Sequence, residues 1–136
     1  MSTTITLKEI AAHNETMTDS EMVQRIRSLD ISAQDKGLLR ALMEAKTEIG
    51  GVMVRIGKKL LDICFSALNI LMEHFPATMA GLLLGALLGL VFSSIPVLGW
   101  LLGPMLGPIL VLGVGTMGLL KDLGGLALVQ HRLVRV

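Results

Sequence analysis

Residues 76–120 form a run of 45 consecutive positions without an Asp, Glu, Lys, Arg or His. A soluble domain of ordinary size does not accommodate such a run, because its surface helices need a charged face and its loops need polar side chains. The expected class is therefore an all-α integral membrane protein. Composition points the same way, since 52% hydrophobic and 17% charged residues with a mean hydropathy of +0.70 exclude a disordered chain. A net charge of +1, no Tyr, one Trp and three Phe leave nothing from which to build a basic, aromatic nucleic-acid surface.

At about 1.5 Å per residue a helix of that length would extend roughly 68 Å, about twice the hydrocarbon thickness of a bilayer, so two passes fit. The break falls at Ser93-Ser94-Ile95-Pro96-Val97-Leu98-Gly99, where proline removes a helical donor and serine and glycine permit a turn. Spans are expected at about residues 77–95 and 98–120, joined as a helical hairpin. Two crossings place both termini on one side, and the Lys and Arg residues flank that side, which predicts cytoplasmic termini and residence in the cell (inner) membrane.

Gly81, Gly85 and Gly89 recur every fourth residue, as do Gly99, Gly103 and Gly107. Such faces let backbones approach closely, either nesting the two arms of one hairpin or joining copies of the chain. Pro96, Pro104 and Pro108 predict a tight corner, protein-buried or re-entrant, because broken helix is tolerated at membrane depth only within protein or beside water. Trp100 is the candidate interfacial aromatic anchor. Arg132 and Arg135, in a short amphipathic tail over residues 121–136, are placed near lipid phosphates.

Upstream, residues 1–75 carry nine Lys or Arg and ten Asp or Glu. Thr6-Leu7-Lys8-Glu9, Thr18-Asp19-Ser20-Glu21 and Ser32-Ala33-Gln34-Asp35 each set a hydroxyl three residues before a carboxylate, which is a helix-start signal. Helices are expected over about residues 7–14, 19–29 and 33–75. In the third, apolar positions at Leu38, Leu42, Ala45, Ile49, Met53, Ile56, Leu60, Ile63, Ala67 and Ile70 follow steps of three and four, a heptad-like stripe. Arg55, Lys58, Lys59, Asp62, Ser66, Asn69 and Glu73 lie between them and read as a solvated face. Such a stripe needs a partner: the two preceding helices, a second copy, or the membrane interface. Gly50, Gly51 and Gly57 lower helix propensity by about 1 kcal/mol each, which predicts a bend or break near Gly50. Between Asp62 and Glu73 lie ten uncharged residues, too few to cross a bilayer, so residues 60–75 are expected to lie along a surface.

No cleaved leader is expected from the opening MSTTITLKEIAAHNE. Ser2 excludes N-myristoylation, and the C-terminus carries no prenylation box. Catalytic and metal chemistry find no footing: His13, His74 and His131 lie in separate segments and Cys64 stands alone. Asp62, Ser66 and His74 cannot converge along one helix, and the glycines lack the Lys-Ser or Lys-Thr pair of a phosphate loop. Neither an enzyme nor a bound cofactor or metal is expected.

A hydrophobic hairpin flanked by amphipathic helices resembles the membrane-inserting part of pore-forming bacteriocins, and two spans with both ends inside are similar to one class of phage holin. The likeness covers about 45 residues, and the chain departs from holins by its 75 charged, helical residues in front. Three functions follow as expectations. The first is a homo-oligomer assembled through the glycine faces, a pore or other membrane-perturbing ring. The second is a membrane-anchored adaptor whose residues 1–75 dock a partner protein, and the third is a structural coat or filament subunit.

Overall fold

The computed structural model describes residues 6–95. They form α1 (Leu7–Ala12), α2 (Asp19–Ser28), α3 (Ala33–Met43), a hairpin of β1 (Thr47–Ile49) and β2 (Val52–Val54), α4 (Ile56–Leu71), a 3-10 turn (Ala77–Met79) and α5 (Ala80–Ser94). The described chain is thus mostly helical.

All three capping signals act as N-caps. The side chains of Thr6, Thr18 and Ser32 accept from the backbone N–H of Glu9, Glu21 and Asp35, and at Thr18 the Glu21 carboxylate returns the bond to complete a capping box.

The single helix expected over residues 33–75 is interrupted. Its middle is an antiparallel hairpin in which Thr47 pairs with Val54, Glu48 with Met53 and Ile49 with Val52. Gly50 (φ 61°) and Gly51 (φ 82°) supply the two left-handed positions that a tight two-residue turn requires. The β-branched residues Thr47, Ile49, Val52 and Val54 on either side favour strand over helix. The heptad-like spacing had carried the helical reading across this turn, and the stripe fails here: Met53 is 64% exposed, and Ala45 and Ile49 are half-buried.

The centre of the molecule is α4. Twelve of its sixteen residues are buried, including Phe65, Leu60, Leu61 and Leu68, and it packs on α5, α3 and α1 while α2 packs on α3. The stripe positions Leu42, Ile56, Leu60 and Ile63 are buried where α4 meets α5, α3 and α1, so only one of the two preceding helices considered above, α1, packs directly on α4 to any extent. The surface-lying placement of residues 60–75 is corrected accordingly. Where α4 begins, Gly57 sits against the end of α3: a Cβ there would stand 1.7 Å from the Leu42 carbonyl oxygen, and the Gly57 N–H donates to the Ala45 carbonyl at 3.2 Å.

Helix α5 is apolar up to its two C-terminal serines, and its described side chains are buried apart from Ala80, which is half-buried, and Leu82, which is 42% exposed. With fifteen residues it extends about 22 Å. Among the described residues no helix is long and apolar enough to cross a membrane.

Candidate functional site

The face of α4 that spacing assigned to solvent is the polar centre of the described chain. Arg55, Lys58, Lys59 and Asp62 follow one another at steps of three, one and three residues, which brings them to one side at the N-terminal half of the helix. Residues 13–19, which connect α1 to the start of α2, lie across that side.

Asp62 is fully buried. Its Oδ1 accepts from His13 Nε2 at 2.9 Å and from Thr16 Oγ1 at 3.0 Å, and its Oδ2 accepts from the backbone N–H groups of Thr16 and Met17, each at 2.9 Å. Burial pushes the Asp62 carboxyl up, but the donors from His13, Met17 and Thr16 together outweigh it and hold the group below its ordinary value. Because an ionised Asp62 can only accept, Nε2 carries a proton, and His13 Nδ1 is buried with no hydrogen-bond partner.

One turn earlier the Lys58 ammonium, with its side chain 7% exposed, bridges Glu15 Oε2 at 3.1 Å and Asp19 Oδ1 at 2.8 Å. Burial alone would lower its pKa, and the hydrogen bonds to Asp19 and Glu15 reverse the direction. Asp19 is held low by its bond to Lys58 and then by Arg55, whose Nη1 reaches both carboxylate oxygens at 3.0 and 3.1 Å. Lys59 Nζ donates to the His13 carbonyl at 2.6 Å. Arg25 of α2 lies over the Phe65 ring, 5.4 Å from its centroid, and donates to Asn69 Oδ1.

An imidazole oriented by a buried carboxylate is the arrangement of a general base. Here its free nitrogen is enclosed and bonded to no hydroxyl or thiol. Cys64 is also buried, and its thiol pKa is pushed up to about 12 by desolvation, which removes it as a nucleophile. Among the described residues no group of three or more His, Cys, Asp or Glu could hold a metal ion.

Asp62, expected on a solvated face, is enclosed, and Ser66 is half-buried. The histidine paired with Asp62 is His13, 49 residues away, while His74 is exposed. Gly81 makes a close approach, but to its own chain: a Cβ there would lie 2.2 Å from Ile31 Cγ2, in the α2–α3 connection. Gly85 and Gly89 are buried within α5. Gly99, Gly103, Gly107, Pro96, Pro104, Pro108, Trp100, Arg132 and Arg135 lie outside the described residues, as do the second span and the tail.

Comparison with protein-family models, with curated proteins and with solved structures gave no match.

Proposed function

We propose that the chain is a small non-enzymatic integral membrane protein of the cell (inner) membrane that self-assembles into a homo-oligomer, a pore or other membrane-perturbing ring. The observation that carries this reading is α5. It bears no ionisable side chain on any face, and the charge-free sequence continues to residue 120. A helix without charge on any face belongs either inside protein or in lipid, and although the described part of α5 is largely enclosed, the uncharged run continues for 26 residues beyond it, from 95 to 120.

For the first span to cross, the 3-10 turn at Ala77–Met79 has to wind on as α-helix. With α5 this gives 18 residues and about 27 Å, at the lower limit of a crossing. The second span supplies the return, and the glycine-bearing faces supply the close contacts between helices.

Membrane flotation after a carbonate wash tests insertion, and mass in mild detergent tests assembly. Retention with lipid and a discrete multiple of the chain mass are expected. Recovery of the full chain as a dispersed monomer in plain buffer would overturn the proposal. The hairpin favours the adaptor as a second reading, because Val52 and Met53 project at 63% and 64% exposure from the β2 strand and offer a partner protein an apolar contact. A monomer or dimer in detergent would select that reading, and an open polymer would select a coat or filament subunit.

A further inference from the structure

The attachment of the N-terminal segment to α4 is lopsided. Helix α1 has six residues and buries one of them, Ile10, whereas α4 buries twelve of sixteen. A helix that short has no independent stability, so its order derives from tertiary contacts. The described polar contacts between residues 13–19 and α4 converge on four side chains: Asp62, Lys58, Lys59 and Arg55. Asp62 alone receives four of these hydrogen bonds, all from His13, Thr16 and Met17. On its other sides α4 is secured by apolar packing against α3 and α5.

We propose that residues 6–19 form a detachable latch closed on α4, with the Asp62 carboxylate as its catch, and that the latch opens as a unit while the α3–α4–α5 packing stays intact. The apolar hold of the segment is confined to Ile10, which is fully buried, and to Leu7 and Met17, which are partly buried against the core, compared with twelve buried residues in α4, and this contrast places the segment at the lower-stability end of the structure. The buried, unpartnered His13 Nδ1 is a further penalty carried by the closed form. Opening bares Arg55, Lys58 and Lys59 beside Asp62, so α4 acquires a net positive face. On the membrane reading that face would lie against anionic headgroups, but the latch itself does not depend on that reading.

The titratable and charged groups around the catch are His13, Glu15 and Asp19 from the latch and Arg55, at the N-cap of α4, with Lys58 and Lys59 within it. Glu44, at the end of α3, reaches Arg55 at 3.9 Å, and α5 contributes none. In α1, Lys8 is exposed and Glu9 accepts from the Thr6 hydroxyl. Since the Asp62 carboxyl is held below its ordinary value, its grip is complete above about pH 4 and is lost as pH falls through the lowered folded value.

Hydrogen exchange of the full chain in mild detergent, resolved by peptide, tests the latch. In the wild type, residues 6–19 are expected to exchange faster than α4 and α5. Asp62→Asn, which keeps the shape and removes the charge, is expected to accelerate exchange over residues 6–19 by about one to two orders of magnitude while α5 is unchanged. Equal acceleration over both regions, or no change over residues 6–19, would overturn the proposal. If Asp62→Asn does not fold, the wild type titrated from about pH 6 downward until protection is lost over residues 6–19 or over α5 gives the same reading after correction for the intrinsic rate. Loss of residues 6–19 ahead of α5 supports the latch, and simultaneous loss or no loss refutes it. Both readouts are independent of whether α5 enters lipid.

Discussion

Leu60→Asp is expected to abolish the folded state at neutral pH. Leu60 is fully buried on α4, between the helices that enclose the stripe. A carboxylate placed there has no donor comparable to those that satisfy Asp62 two residues on, so it loses hydration without compensation, and the whole stability of a small domain is only about 5–15 kcal/mol. We expect a loss of at least about 4 kcal/mol, measured by denaturant unfolding in mild detergent. The introduced carboxyl would titrate well above its usual range, so part of the deficit should be recovered on acidification. Ile70→Asp is the control: Ile70 belongs to the same sequence stripe but is half-buried, and the change should cost about 1 kcal/mol. Equal effects at the two positions would show that α4 is not enclosed as described.

The second large effect is expected at Gly57. Its closest approach is to backbone, with the Leu42 carbonyl oxygen 1.7 Å and its carbon 2.8 Å from where a Cβ would stand. No rotamer change relieves such a clash, so Gly57→Ala has to push α3 away from the start of α4 and break the Gly57 N–H bond to Ala45. A cost of about 3 kcal/mol is expected despite the better helix propensity of alanine, and the same denaturation measurement reads it. Gly37→Ala is the opposite case, since nothing lies within 4 Å of its added carbon; there the propensity gain of about 1 kcal/mol should appear as stabilisation. A stabilising Gly57→Ala would mean that the two helices are not in this contact.

These two residues show what could be read from order along the chain and what could not. The helix starts were legible because a cap is local: Thr6, Thr18 and Ser32 each act within three residues. The turn at Gly50 was half-legible. Paired glycines announced a break, but the strands around them were masked by the coincidence of their apolar positions with helical spacing. Asp62 was misplaced because periodicity separates apolar from polar positions and is silent on whether a polar one is covered. Its partners at His13 and Thr16 lie 49 and 46 residues away, beyond anything local spacing can detect. Gly57 was discounted as a weak helix former for a related reason, since its tight neighbour Leu42 belongs to another element.

The Gly50–Gly51 turn gives experimental access to the molecule. Open space surrounds both positions, and their positive φ values are imposed by the turn alone. A protease recognition sequence or a short epitope inserted there should lengthen the connection without disturbing either neighbouring helix. Cleaving it would yield two fragments that remain associated through α3 and α4, a direct way to label the protein and to ask which side of a vesicle this part of the chain occupies.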